Sequence, residues 1–388
     1  MAASVHTMAQ DAVHDALHCE VISTPEALHA LREEWNELAG ASGRVFLSHE
    51  WFAAAWEWAG EQARLHVVCA RRAGRLAGIA PLCRRRRALW GLPLATIEFI
   101  VVPDTPYCDV IVAPANAAAF AQALVDHLHA LPRWHMIELV KLCPESATPA
   151  LLGHALQERG RASEACVPLT EHGVDLRTSW QAYYATRSRR LKKGNNLVAN
   201  QLRRNNERVE IESWQHADAR LADILTRVSA GSWKSTTGTS FDVAGPKRFL
   251  ARLLQLASGR GCLRVFALTL NGEPAATELQ ILDGRTVYAL RADFDRRFEK
   301  QSPGTYLNWK ILEGSFDGTR DRYSMGTGAN PYKLRWANQT RALTGLRYYS
   351  RAPRAMLVRL LEHRLRPLVR RLRERGARAS AARADADG

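Results

Sequence analysis

The sequence predicts an α/β protein of two lobes, each with a mixed and largely antiparallel sheet. Its 388 residues, 46% of them hydrophobic, are enough for two domains that each bury a core. Segments with helical and strand periodicity also follow one another in a similar order in both halves. We place the first lobe at 20–165 and the second at 166–350. A disordered tail at 1–19 and a basic segment at 351–388 flank them.

The first half mixes helices with short strands. Thr24 and Pro25 are typical of a helix start, and Leu28, Leu31 and Trp35 follow at helical spacing. Arginine- and glycine-containing turns then separate apolar runs that are typical of strands. In order, the predicted elements are helices at 26–39 and 46–58, strands at 65–70, 76–82 and 97–102, a helix at 115–130 and a strand at 135–141.

The second half contains a three-stranded antiparallel meander. Its runs are joined by Asn271-Gly272 and Asp283-Gly284, which fit tight hairpin turns because both central residues need a positive φ. The meander strands are predicted at 263–270, 275–282 and 286–291. The other elements are strands at 208–214 and 322–325 and helices at 219–230, 249–257 and 302–312.

Two basic segments lie outside this plan. The first, 187–208, contains Gly194-Asn195-Asn196, which predicts a break or bend in a helix. The second, 351–375, places leucines at helical spacing and predicts a basic amphipathic helix, followed by a disordered end. We expect the leucines to dock on an anionic membrane surface, while the alternative is that they pack on the second lobe. The arginines expected to meet lipid headgroups are Arg359, Arg366, Arg370 and Arg373, and Pro367 predicts a kink.

Charge and composition limit the class of protein. The net charge of +15 favours anionic partners, but it does not choose among phosphates, acidic polymers and lipid headgroups. No apolar run approaches the length of a membrane span, and the first residues do not resemble a signal peptide, so we expect a cytoplasmic protein, peripheral on the inner face of the membrane. The 7 cysteines and 13 histidines show no metal-binding spacing, so we expect no metal.

The residues after the meander resemble a known enzyme family. Gln301-Ser302-Pro303-Gly304-Thr305 matches the first and fourth positions of the Arg/Gln-x-x-Gly-x-Gly/Ala signature of GNAT acyltransferases, although Tyr306 stands where a small residue is usual. The pattern from Ala292 to Trp336, with the hairpin at 271–276, resembles the CelD/BcsL-type acetyltransferases, which are similar to the FemAB aminoacyl transferases. In the first half, 46–58, 78–82 and 107–109 resemble the same family. The resemblance covers 20–350 and implies two tandem GNAT-like lobes.

This resemblance implies acyl transfer from acyl-CoA to an amine, or a hydroxyl, of an envelope-directed substrate such as an exopolysaccharide sugar or a lipid precursor. The donor phosphates would bind at a helix N-terminus, where backbone N–H groups and the helix dipole favour an anion. The residues expected to form that cradle are Gln301, Ser302, Gly304 and Thr305.

Six further residues are candidates for chemistry or acceptor binding. Lys333 would hold a phosphate or the developing oxyanion, Tyr332 would donate a proton, and Glu278 would be the base if it faces the cleft. Arg291 and Asp293 would orient the acceptor or bind phosphate, and Trp233 would stack on the acceptor or seal the lobe interface. As an exposed lysine, Lys333 could be truncated with a stability change of only about 0.5 kcal/mol.

Plainer readings of these residues remain open. Lys333 could be a solvated surface residue, Arg291 and Asp293 an internal ion pair, and Glu278 a solvent-facing carboxylate. At the level of the whole chain, one alternative is aminoacyl transfer from charged tRNA held by the basic segment. Another is a non-catalytic scaffold that has lost the donor site, which Tyr306 favours.

Overall fold

The computed structural model describes residues 17–40, 43–143, 145–166 and 168–365. The strands of the first half are β1 (His18–Ile22), β2 (Ala63–Leu65), β3 (Val67–Arg72), β4 (Arg75–Ala80), β5 (Leu82–Leu89), β6 (Leu92–Phe99), β7 (Ile111–Val112), β8 (Met136–Leu142) and β9 (Glu164–Ala165). Its helices are α1 (Pro25–Ala30), α2 (Arg32–Gly40), α3 (His49–Ala59), α4 (Ala117–Ala130) and α5 (Thr148–Glu158).

The second half continues with β10 (Leu169–Asp175), β11 (Val209–Trp214), β12 (Leu263–Leu270), β13 (Glu273–Asp283), β14 (Thr286–Phe294), β15 (Arg322–Thr327) and β16 (Gln339–Tyr349). Its helices are α6 (Trp180–Ala185), α7 (Arg189–Arg204), α8 (Ala219–Ala230), α9 (Ala244–Gly259), α10 (Pro303–Gly314), α11 (Pro331–Trp336) and α12 (Pro353–Arg364). The predicted α/β class is confirmed.

One large sheet runs through both halves of the chain. Its order is β11-β12-β13-β14-β15-β10-β16-β8-β6-β5-β2, with β9 paired to β16, while β1, β3, β4 and β7 form a separate sheet. Strand β16 joins the halves because it pairs with β10 on one edge and with β8 on the other. The boundary at residues 165 and 166 stays a prediction, since the sheet is continuous there.

The two halves repeat one arrangement of strands. In the first, the β5–β6 hairpin is followed by α4 and then by β8, which lies parallel to β6. In the second, the β13–β14 hairpin is followed by α10 and then by β15, parallel to β14. Most other pairs are antiparallel, so the expected mixed sheet with two similar lobes is observed.

The predicted meander is present, with one turn shifted. Asn271 and Gly272 have φ of 53° and 86°, as a type I′ turn requires. In the second hairpin Asp283 pairs with Thr286, so the central residues are Gly284 and Arg285 rather than Asp283 and Gly284. Only Gly284 has a positive φ, 56°, which fits a turn with glycine at its first central position.

Proline divides a segment that the sequence presents as one strand. The strand predicted at 76–82 is confirmed up to Ala80, but its end is wrong, because β4 stops there and β5 begins at Leu82 in the other sheet. Pro81 has no N–H to contribute to a ladder, so the change of sheet occurs there.

The basic helix α7 corrects another expectation. It is continuous from Arg189 to Arg204, so the break predicted around Gly194 is wrong. The Ser188 side chain accepts a hydrogen bond from Leu191 N and caps the helix. Buried Leu191, Asn195 and Leu202 hold it against the second lobe, and this packing outweighs the weak helical preference of the Gly-Asn-Asn run.

Parts of the predicted terminal segments lie outside the described residues. These are residues 1–16 and the stretch from Arg366 onward, with Pro367, Arg370 and Arg373. Strand β1 begins at His18, inside the segment expected to be a disordered tail. Within the described ranges, none of the helices combines the length and apolarity needed to cross a membrane.

Candidate active site

The second lobe contains an opening between two parallel strands. Strands β14 and β15 pair from Thr286 with Arg322 to Tyr288 with Ser324, while β14 continues to Phe294 and β15 to Thr327. Beyond these pairs the two strands are not bonded to each other, and we take the opening between their unpaired ends as the candidate cleft. Arg291 and Asp293 lie on the free part of β14, and α11 follows β15.

Lys333 lies at this cleft and is buried. It is only 7% exposed, and its Nζ donates to the carbonyl of Thr327 at 2.6 Å. Burial and the nearby charge of Lys234 lower the pKa of Lys333 to about 8, and Glu171 partly opposes this effect. The lysine is therefore not an exposed surface residue, and the stability change of about 0.5 kcal/mol expected for its truncation rested on a wrong premise.

A second lysine stands opposite, on the β14 side. Lys234 Nζ forms a short hydrogen-bonded ion pair with Asp293 and donates to the carbonyl of Ala292 at 3.1 Å. The chain just before Lys234 lies close to the segment that follows β14, because a Cβ added to Gly231 would lie 2.5 Å from the Asp295 carboxylate carbon. Two lysines thus face one cleft, which suits an anion or an oxygen that gains negative charge.

Arg291 is held by partners from both lobes. Its guanidinium donates to Asp293 at 2.9 Å and to Asp104, in the segment after β6, at 3.2 Å. It also bonds to the Ser229 hydroxyl and lies 3.9 Å above the Phe241 ring centroid. Arg291 and Asp293 are therefore an internal ion pair, and at the same time they fix Lys234 at the cleft.

Tyr332 connects the cleft with a buried carboxyl group. Its pKa is raised by burial and by the nearby Glu278 and Asp293. Glu278 is fully enclosed, accepting hydrogen bonds from the Tyr323 hydroxyl and from Gln280 at 2.6 Å. Burial raises the pKa of Glu278, against the effect of these bonds. Glu278 is thus not solvent-facing: it is bonded to Tyr323 and Gln280, and its link to Tyr332 is electrostatic.

The predicted donor loop is a left-handed turn leading into α10. Ser302 has φ 51° and ψ 47°, and its carbonyl accepts from Thr305 N and Tyr306 N at 3.1 and 3.3 Å. The Ser302 side chain does not cap the helix, and Thr305 is exposed. Gln301 Oε1 is buried with no hydrogen-bond partner among the described residues. These polar groups at a helix N-terminus fit a phosphate ligand.

The donor loop lies next to the end of β14. A Cβ added to Gly304 would be 3.5 Å from the Phe294 ring, an ordinary packing distance. Trp233 is 49% exposed on the short 3-10 helix that also carries Lys234. The structure therefore brings Lys333, Tyr332, Arg291, Asp293 and the donor loop to one region, with Glu278 behind it and Trp233 at its edge.

The corresponding opening in the first lobe is filled. Beyond the parallel pairs of β6 and β8, Cys108 N bonds to the carbonyl of Lys141 at 2.9 Å and bridges to Leu142. Lys141 Nζ in turn donates to the carbonyls of Val102 and Pro103 at 3.4 and 3.2 Å. The chain from 100 to 108 thus occupies this opening, which leaves the second lobe as the candidate site.

Several site residues were not identified from the sequence. Asp104, Glu171 and Tyr323 come from distant parts of the chain, and no local motif marks them. Lys234 was noticed only as the neighbour of Trp233. Within the described ranges, no group of three or more His, Cys, Asp and Glu side chains could hold a metal ion.

Sequence comparison places this cleft inside a recognised domain. Residues 192–334 match the family described as acetyltransferase (GNAT) domain, a span that includes the meander, the donor loop and Lys333. The chain is an acyltransferase by class. No match was found among curated proteins.

Solved structures share the fold over most of the chain. FemX aligns with a TM-score of 0.50 at 11% identity, covering 78% of this chain and 92% of its own. The C-terminal domain of a putative lysylphosphatidylglycerol synthetase from Agrobacterium fabrum gives 0.51 at 11% identity, covering 86% and 97%. L-PGS from Bacillus licheniformis gives the same values. At such identities the likeness concerns the fold alone, and it confirms the GNAT-like tandem architecture.

Proposed function

We propose that the protein transfers an acyl group from acyl-CoA to an amine, or a hydroxyl, of an envelope-directed saccharide or lipid precursor. The observation that carries this proposal is the pair of lysines, Lys234 and Lys333, in the β14–β15 cleft beside a phosphate-suited loop. The acceptor class follows the resemblance to CelD/BcsL-type acetyltransferases. A lipid-linked acceptor would be met in the cytoplasm at the inner face of the membrane.

Each site residue has a distinct role in this proposal. Acyl-CoA supplies a thioester whose carbonyl carbon is attacked by the acceptor nitrogen as the carbon–sulfur bond breaks. Lys333 donates a hydrogen bond to the carbonyl oxygen as it gains charge. Tyr332 gives its proton to the departing sulfur and takes the proton released by the acceptor nitrogen, so the phenol is restored. Glu278 is a positioning residue, because it is buried, bonded to Tyr323, and close enough to Tyr332 to help raise its pKa.

Tyr332→Phe separates this mechanism from a packing role. The substitution keeps the ring and removes only the hydroxyl, so kcat should fall by about 100-fold while affinity for CoA stays within about threefold. Tyr349→Phe, in β16, is the matched control and should keep full turnover. Full turnover by the Tyr332 variant would remove this residue from the chemistry.

Aminoacyl transfer from charged tRNA is the second candidate, and α7 favours it. Exposed Arg189, Lys193 and Arg203 form no ion pair with any described carboxylate. The helix also borders the donor loop, because Gln201 Nε2 donates to the carbonyl of Lys300 at 3.0 Å. The second candidate therefore rests on the exposed cations of α7 beside the donor loop, in a fold that is shared with FemX and the lysylphosphatidylglycerol synthetase.

Calorimetric titration with CoA, acetyl-CoA and total tRNA distinguishes the two functions. The acyl-CoA proposal predicts binding of CoA that is unchanged when Arg189, Lys193 and Arg203 are replaced together by glutamine. The tRNA alternative predicts no CoA binding, and tRNA affinity that falls steeply with salt and with that triple replacement.

A further inference from the structure

The C-terminal helix α12 has an apolar face directed away from the protein. It packs on the sheet through buried Ala355 and Val358, against Leu94, Met136 and Tyr349. Met356, Leu357 and Leu360 lie on the opposite side and are 43%, 46% and 52% exposed. A helix on a protein surface normally turns polar residues outward. The outward side of α12 is instead apolar. Leu357 and Leu360 therefore do not pack on the second lobe, while Leu368 and Leu372 of the predicted stripe lie outside the described residues.

Ion pairs and hydrogen bonds fix the helix in this orientation. Glu362 accepts from Arg347 Nη1 at 3.1 Å and from Trp90 Nε1 at 2.8 Å. Arg359 pairs with Glu164 at 2.6 Å, so this arginine is held by the protein and was wrongly expected to meet lipid headgroups. The helix therefore cannot turn its leucines inward without breaking these polar contacts.

Trp90 belongs to the same surface. It stands at the tip of the β5–β6 hairpin, where Trp90 and Gly91 have φ of 53° and 76°, and it is 40% exposed. Its indole N–H is bonded to Glu362, so the tryptophan lies beside α12. An indole with an apolar ring and one bonded N–H is typical of a membrane–water interface.

Positive charge surrounds the apolar face. Arg351, Arg354 and Arg364 are exposed, and among the described residues none of them pairs with a carboxylate. The sequence then continues from residue 366 with seven more arginines before its end. Exposed leucines surrounded by arginines without carboxylate partners are suited to an anionic lipid surface. A dimer formed through this face would instead bring the arginines of two copies together, and their charges would repel.

We infer that α12 and the Trp90 hairpin form a docking surface for an anionic phospholipid bilayer. Met356, Leu357, Leu360 and Trp90 enter the headgroup boundary, and Arg351, Arg354 and Arg364 contact the anionic headgroups. The inference deepens the membrane location in the proposed function. Vesicle binding is measured without substrate, so its failure and the failure of acyl transfer are separate results.

Co-sedimentation of the full chain with vesicles tests this inference. Vesicles of phosphatidylcholine with about one third phosphatidylglycerol should bind the protein at low salt, and pure phosphatidylcholine should bind it far more weakly. Replacing Leu357 and Leu360 together by glutamine should lower binding to the anionic vesicles by at least about tenfold. Leu197→Gln is the control, because it makes the same change at an exposed leucine of the basic helix α7, and binding should stay within about twofold.

Three results would overturn the inference. They are no binding by the wild type, equal binding by the double variant, and a loss of binding in Leu197→Gln alone. Light scattering tests whether a second copy of the chain covers this face instead. A wild-type dimer that the double variant dissociates, without vesicle binding by either, would assign the face to a second copy of the chain.

Discussion

Replacement of Lys333 by methionine tests whether a buried cation is kept for function at the expense of stability. Methionine has a similar length and no charge, and it can fill the same space near Thr327. Because Lys333 is almost completely buried, its charge is unfavourable in the folded protein, and the variant removes that charge. We expect loss of turnover together with a gain in stability at pH 7.

The size of the gain follows from the pKa. A decrease of the lysine pKa from 10.5 to about 8 corresponds to about 3 kcal/mol, at about 1.4 kcal/mol per pH unit. The lost hydrogen bond to the partly exposed Thr327 carbonyl offsets about 1 kcal/mol of this. Lys333→Met should therefore raise the free energy of unfolding at pH 7 by about 2 kcal/mol.

The gain should disappear in alkaline solution. The folded pKa lies below the unfolded one, so between pH 8 and 10.5 the unfolded wild type binds more protons. Wild-type stability therefore rises relative to the variant across this window, and the advantage of Lys333→Met declines as pH increases.

Chemical denaturation at pH 7, 8, 9 and 10, with acyl-transfer assays at each pH, measures both effects. Lys247→Met, at an exposed lysine of α9, is the control and should change neither property. A Lys333→Met protein that is less stable than the wild type at pH 7 would make the lysine a structural residue. Retained turnover would remove it from the chemistry.

Three further variants test the parts of the cleft. Gly304→Asp should weaken CoA binding by at least about tenfold in calorimetry, and Gly304→Asn by less than about threefold. Both side chains start in ordinary contact with Phe294, but only aspartate adds negative charge. Equal losses would mean that the phosphates bind elsewhere. Asp104→Asn should lower the free energy of unfolding by about 1–2 kcal/mol and reduce kcat, since Arg291 loses the charge of its partner from the first lobe; unchanged values would mean that this contact is incidental. Trp233→Ala should raise the KM for the acceptor with CoA affinity unchanged, and an unaltered KM would exclude it from the acceptor surface.

Local patterns were sufficient for the parts of the fold that depend on neighbours in sequence. The meander followed from alternating apolar residues and two Gly-containing turns, and the donor loop from Ser302-Pro303-Gly304 before a helical run. The second turn was misplaced by one residue, because Gly284 satisfies a type II′ turn as well as a type I′ turn.

Long-range contacts account for what the sequence did not reveal. The lowered pKa of Lys333 reflects the charges of Lys234 and Glu171, about 100 and 160 residues away, as well as burial, so its short surrounding segment could not indicate it. Asp104 reaches the cleft from the other lobe. The joining strand β16 was missed, although it pairs with strands of both halves. Helix α7 persists through Gly194 because tertiary packing outweighs local preference.

Titration calorimetry with acetyl-CoA tests most directly whether the second lobe alone holds the acyl donor. Since the first-lobe opening is filled by residues 100–108, the wild type should bind one acetyl-CoA per chain, and Gly304→Asp should abolish most of that binding. Two molecules per chain, one molecule bound equally well by Gly304→Asp, or no binding at all would contradict a donor site at the β14–β15 cleft.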